Sequence, residues 1–212
     1  SVFASAANTD RDSYYGPGND PLKAYGKTTD LTAMGGAQYV HTFDKCFFMP
    51  SDLTAGLEYN RDRLKDNMWG YNRHTDQTVN IYSAFLQNEW KNDRWGILIG
   101  GRLDKHNMVD NVIFSPRANL RFNPTQNINL RLSYSSGFRA PQAFDEDMHI
   151  ENVGGTVAMI ERAKDLKEEK SQSFSASADM YHRFGVFQTN FLIEGFYTRL
   201  TDVFVLGEPY DR

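Results

Sequence analysis

Three groups of side chains have the types and spacing to do chemistry. Asp145-Glu146-Asp147-Met148-His149, with Glu151 just beyond, offers carboxylate oxygens and an imidazole. Asp145, Asp147 and His149 are donors that a hard divalent cation takes, while a solvated acidic loop accounts for the same residues without a metal. Trp69, Tyr71, Arg73 and His74 combine ring faces with positive charge, which suits a planar or anionic ligand. Aromatic loop residues are also common where nothing binds. Arg139 and Gln142 open the segment leading into the acidic cluster and are further candidates to contact a ligand; for Arg139, pairing with Asp145 or Glu146 is an equal structural reading.

Enzyme chemistry finds no such grouping. The five histidines, His41, His74, His106, His149 and His182, are scattered, and no His-Glu-x-x-His occurs. Asp104 and His106 share a strand face, but the many serines lie in no G-x-S-x-G elbow. Gly154-Gly155 supplies a turn without a phosphate-binding pattern around it. Cys46 is the only cysteine, which excludes an intramolecular disulfide and any multi-cysteine metal site. A soft-metal pairing of Cys46 with Met49 competes with the simpler account of a small apolar residue. The expectation is a non-enzyme without a cofactor. With 23 Lys and Arg against 27 Asp and Glu, the net charge of −4 leaves no basic surface to neutralise nucleic-acid phosphates.

The elements that must position these groups are strands. In Ile128–Phe138, Ile128, Leu130, Leu132, Tyr134 and Phe138 alternate with Asn129, Arg131, Ser133 and Ser135. Phe174, Ala176, Ala178 and Met180 alternate with a row of serines from Ser171 to Ser177. Trp95–Asp104, Phe187–Tyr197 and Leu53–Asn60 repeat the period of two, each with one apolar face. Ala37–Phe43, Val79–Trp90 and Arg117–Phe122 are weaker members, and residues 1–8 a poor one. The sum is about nine strands, with Val157–Lys170 the best helical candidate, inside a loop. No run of about 18 apolar residues could form a transmembrane helix, but a membrane barrel hides its apolar face in every second residue.

A soluble β-sandwich alternates too, so the connections discriminate. Asn8–Asp30, Asp62–Gln77, Asn107–Phe114 and Arg139–Lys170 are the long ones. Between them fall the short Lys45–Asp52, Lys91–Arg94, Asn123–Gln126 and Arg183–Gly185. Strands crossing a bilayer place every second connection on one side, and outer-membrane barrels keep short periplasmic turns and long extracellular loops. Trp90, Trp95, Phe122, Tyr181 and Phe187 border the short turns, whereas Tyr59, Tyr82, Phe138 and Tyr197 lie towards the long loops, as two interfacial belts would. The expected fold is all-β: an arc of transmembrane antiparallel β-barrel with a polar lumen lining.

On these strands lie Gln87-Asn88-Glu89-Trp90, Gly100-Gly101-Arg102-Leu103-Asp104 and Ser115-Pro116-Arg117-Ala118-Asn119-Leu120. Tyr134-Ser135-Ser136-Gly137-Phe138-Arg139-Ala140-Pro141 follows, then Leu166, Lys167, Glu169, Lys170 and Ser171, then Phe196-Tyr197. In order and content this series resembles the middle of the barrel of TonB-dependent outer-membrane receptors, over about residues 80–200. Residues 1–75 fit as barrel strands and loops. The resemblance implies a 22-stranded barrel with an N-terminal plug and a box gripped by TonB. Neither plug nor box nor closing strand is found here, so residues 1–212 are expected to be an internal, partial barrel domain. It further implies active uptake of a scarce nutrient, iron–siderophore or cobalamin in preference to polysaccharide, across the bacterial outer membrane. The implied partners are outer-membrane lipid, the nutrient, and TonB through regions outside this chain. The competing functions are a passive porin-like barrel and a soluble β-sandwich binding carbohydrate or a surface partner.

Overall fold

The computed structural model describes residues 1–14, 25–69, 73–142 and 166–205. They form one antiparallel sheet in strict chain order: β1 (Val2–Tyr14), β2 (Tyr25–Cys46), β3 (Met49–Met68), β4 (Arg73–Lys91), β5 (Trp95–His106), β6 (Ile113–Thr125), β7 (Ile128–Arg139), β8 (Glu169–Phe184) and β9 (Phe187–Thr201). Each strand pairs only with its sequence neighbours, so the sheet is an arc that does not close on itself. No second sheet lies against it among the described residues, which overturns the sandwich alternative.

The absence of a second layer shows in where the apolar side chains sit. Ile99, Leu130, Leu132, Phe174, Phe191, Ile193 and Tyr197 share one face of the sheet and are exposed. A face of exposed leucine, isoleucine and phenylalanine running from β3 to β9 is incompatible with water and suits lipid. The opposite face carries Glu58, Asn60, Ser83, Arg102, Asp104, Arg117, Arg131, Ser133 and Ser175. Its polarity is not uniform: Leu192, Phe196 and Leu200 of β9 lie on it, opposite Asp179, Ser175 and Ser171.

Aromatic rows bound the lipid-facing band. At the short-turn end Trp95 stacks on Phe122, with ring centroids 4.2 Å apart, and Phe48 stacks on Trp90 at 5.7 Å. At the long-loop end Tyr59 meets Tyr82 at 4.9 Å and Tyr134 meets Phe174 at 4.8 Å. Tyr181 is not a member of a belt: its hydroxyl donates to Asp179, two residues away on the polar face.

The turns at one end are tight. Phe184 pairs with Phe187 across a two-residue turn in which Gly185 takes φ +57°, a conformation costly for residues bearing a Cβ. In the β4–β5 turn the Asn92 side-chain oxygen accepts from the Arg94 and Trp95 amides at 2.9 and 2.7 Å. At the other end the strands run further than the alternation predicts. The expected loop Asp62–Gln77 is mostly strand, leaving residues 69–72 between β3 and β4, and β1 and β2 reach into Asn8–Asp30. Of the helical candidate Val157–Lys170, Leu166–Glu168 are irregular and Glu169 and Lys170 begin β8, while the rest lies outside the described residues. The 22, 20 and 19 residues of β2, β3 and β4 far exceed the roughly 9–11 that a bilayer requires. These three strands therefore stand above the outer aromatic row as a raised wall.

Candidate functional site

The described residues singled out from sequence lie towards the long-loop end. In the raised wall the outward face turns largely polar, while the inward face is mixed, with apolar side chains among Thr28, Asp62, Asp66 and Gln77. Arg61, Arg63 and Lys65 point outward, while Leu64, Met68 and Val79 turn inward and are buried. Between them the Thr28 hydroxyl donates to buried Asp66 at 2.7 Å, and Arg11 reaches Thr28 at 3.3 Å. Gly26 lies directly across from Met68, and a side chain there would collide with the Met68 sulfur. The hydrogen-bonded polar groups and the small apolar cluster together stiffen the wall that carries the β3–β4 tip.

A second rigid point stands at the top of β5–β7. His106 is fully buried, and its Nδ1 accepts the Met108 amide at 3.0 Å. The proton is therefore on Nε2, which donates to Gln142 Oε1 at 3.1 Å. Lys105 Nζ donates to the carbonyls of Val109 and Asp110, and Val109, Ile113 and Ala140 close a small apolar core against Phe138. His106 lies opposite Ile81, one residue past the outer aromatic row. Burial pulls its imidazole below the usual histidine range, against the opposing influence of Gln142 and Asp104.

Below, on the lumen wall, Arg102 forms a fork. It donates to both Glu58 oxygens at 3.1 and 3.2 Å, to Asp104 Oδ1 at 2.8 Å and to Ser83 Oγ at 2.7 Å. Ser83 in turn donates to Asp104 at 2.6 Å. This network joins β3, β4 and β5 across the polar face and commits those charges to one another.

The residues singled out from sequence do not gather in one place. Trp69 is exposed at the tip of the raised wall, and Arg73 heads β4 opposite Met68. His74 does not join them on one face: it sits on the outward face, its Nδ1 against Asn67 Oδ1 at 3.0 Å. Arg139 ends β7 on the lumen face opposite Glu169, its guanidinium 6.0 Å from the Phe204 ring centroid. Gln142 is a structural partner of His106 through its side-chain oxygen. Tyr71, Asp145, Glu146, Asp147, His149 and Glu151 lie outside the described residues, so the acidic loop and its pairing with Arg139 have no geometry here. Among the described residues no three His, Cys, Asp or Glu side chains gather where they could hold a metal ion.

Sequence reasoning missed the His106–Gln142 lock and the Arg102 fork. Alternation places Arg102, Asp104 and His106 on one face, but it contains no information on which strand lies alongside or in what register.

Comparison with known proteins agrees with this geometry. The family model described as "TonB dependent receptor-like, beta-barrel" matches residues 2–211. No curated protein sequence matches the chain. Among solved structures, the chain is similar to the siderophore receptor PirA from Acinetobacter baumannii, with 18% identity and a TM-score of 0.58 over 94% of this chain and 39% of that one. It is also similar to a G324V mutant of the ferric enterobactin receptor PfeA from Pseudomonas aeruginosa, with 18% identity and a TM-score of 0.62 over 85% and 30% of the two chains. The alcaligin outer-membrane receptor FauA from Bordetella pertussis gives 14% identity and a TM-score of 0.53 over 94% and 33%. The chain thus spans between 30% and 39% of the length of these three structures. A single sheet with lipid-compatible side chains outside and a polar face inside, matched along nearly its whole length by one family model, belongs to the TonB-dependent receptor β-barrel family.

Proposed function

We propose that this chain is an internal arc of the barrel of an active transporter that takes up an iron–siderophore complex across the bacterial outer membrane. The observation that carries the reading is the division of the sheet's faces. Outward apolar side chains between two aromatic rows suit a bilayer, and the Arg102–Glu58–Asp104 wall suits a hydrated interior. The siderophore receptors among the similar structures support iron–siderophore as the cargo in preference to cobalamin. In this reading the long-loop end is extracellular, and other strands and a plug complete the barrel. Trp69, Tyr71 and Arg73 at the raised tip, with Arg139 and the acidic loop around Asp145, Asp147 and His149, contact the ligand. Gln142 holds the loop base through His106 rather than meeting the cargo.

Transport of labelled ferric siderophores by cells producing the complete receptor tests this directly. Uptake should require both the receptor and an energised inner membrane, and deletion of residues 145–151 should reduce it while leaving barrel insertion intact. Uptake that persists after the proton-motive force is collapsed would identify a passive pore. Transport of corrinoids with no ferric siderophore uptake would replace the cargo.

A further inference from the structure

On the outward face of β5–β9 the apolar surface is not level. Ala118, Ala176 and Gly195 leave a depression of about 700 Å³, with the rings of Tyr134, Phe174 and Tyr197 along one rim. No packing within the sheet demands glycine at its floor, since a Cβ on Gly195 would meet no atom within 4 Å. The side chains above that aromatic rim are of a different kind. Arg199 lies two residues past Tyr197, on the same face and opposite Gln172. Lys170 lies two residues before Gln172, again on that face, opposite Thr201 and Phe138. At about 3.3 Å per residue, the two cations stand roughly 7 and 13 Å above the aromatic row along their strands. Both are exposed. Among the described residues the carboxylate paired with them is Glu168, whose Oε1 is 3.0 Å from Lys170 Nζ, and Gln172 rather than a carboxylate faces Arg199 across the strand pair.

An apolar trough that ends at ring edges and continues into two cations has the polarity of a lipid: chain below, interfacial boundary, anionic head above. We propose that this groove seats one acyl chain of an anionic, phosphate-bearing membrane lipid, with its phosphate held between Arg199 and Lys170. The proposal rests on the membrane-spanning reading above. The diagonal spacing of the two cations, roughly 7–8 Å between neighbouring strands, lets one phosphate accept hydrogen bonds from both side chains. Glu168 tempers the site through its ion pair with Lys170, whose ammonium keeps further hydrogens to donate.

The test uses the complete receptor in detergent, titrated with phosphatidylglycerol or phosphatidylcholine of identical chains, with retained lipid counted by native mass spectrometry. One phosphatidylglycerol should be retained at least about tenfold more strongly than phosphatidylcholine, as two interfacial cations warrant. The double variant Lys170→Gln/Arg199→Gln should bring the two lipids to near parity. Gly195→Leu should fill the trough and lower retention of both. Equal retention of the two lipids by the unaltered receptor, unchanged phosphatidylglycerol retention in both variants, or displacement by millimolar inorganic phosphate would each overturn the proposal. Failure of the receptor to enter membranes at all would instead overturn the barrel reading, so insertion of the unaltered protein and both variants into vesicles is scored in parallel.

Discussion

The raised wall of β2–β4 and the membrane band of β5–β9 use the same strand pairing but differ in what their outward faces carry. In the band, Ile99, Leu130 and Phe191 face outward and Arg117, Arg131 and Ser133 inward. In the wall, Arg61, Arg63 and Lys65 face outward while Leu64, Met68 and Val79 are buried within. The backbone does not register the change; the solvent does. Where hydrocarbon surrounds the sheet, apolar side chains gain nothing by turning inward. Where water surrounds it, ordinary burial resumes, and each fully buried apolar side chain contributes about 1.5–3 kcal/mol. A single β-sheet therefore reports the boundary of its membrane by the level at which the polarity of its outward face inverts, here between Tyr59 and Arg61 on β3.

Charge substitutions break this comparison most sharply. In the lipid-reconstituted complete receptor, Ile99→Arg and Leu130→Arg should each cost about 2–4 kcal/mol, read from denaturant unfolding. Leu31→Arg, outward but in the raised wall, should cost less than about 0.5 kcal/mol. Equal costs at all three positions would erase the boundary. Next in size is truncation of the wall's interior. Met68→Ala should destabilise the wall by about 2–3 kcal/mol through the cavity it leaves, seen as faster amide exchange in residues 62–68 and 73–79. Exchange in β7 and β8 should not change.

The smallest effect concerns the lock at the top of the band. The folded protein keeps His106 neutral, so it binds fewer protons than the unfolded chain, whose histidine titrates in the ordinary range. Stability tied to this group is present above that range and is lost as the pH falls through it. Protonating Nδ1 would also displace the Met108 amide. Amide exchange at Met108 and Gln142 should therefore accelerate as the pH falls below the ordinary histidine range, and His106→Gln should flatten the dependence. An unchanged pH response in that variant would assign the effect to another group.

The same inversion explains which parts of the fold were legible. Leu130 alternating with Arg131 and Phe174 with Ser175 declare both a strand and its lipid face. In Arg61-Asp62-Arg63-Leu64-Lys65-Asp66 the apolar residue stands on the other face and is outnumbered by charge, so the stretch imitates a loop although it is strand. Of the candidate site, Trp69 is exposed just past β3 and Arg73 begins β4, positions beside a hairpin end that local composition signals. Gln142 could not be distinguished from a ligand contact, since its partner His106 is 36 residues away and only tertiary proximity reveals it. His74 has a hydrogen-bonded neighbour, Asn67, on the face that composition alone does not specify.

The close reversals joining Phe184 to Phe187 and Thr125 to Ile128 anchor the sheet from one rim only. A slip by a single residue would turn the apolar face towards the lumen and the polar face towards lipid, so these short links act as the ruler against which the staves are measured. Lengthening or rewriting a segment at the opposite rim leaves that ruler untouched. Such a scaffold can rewrite its crown with no renegotiation of how it sits among lipids.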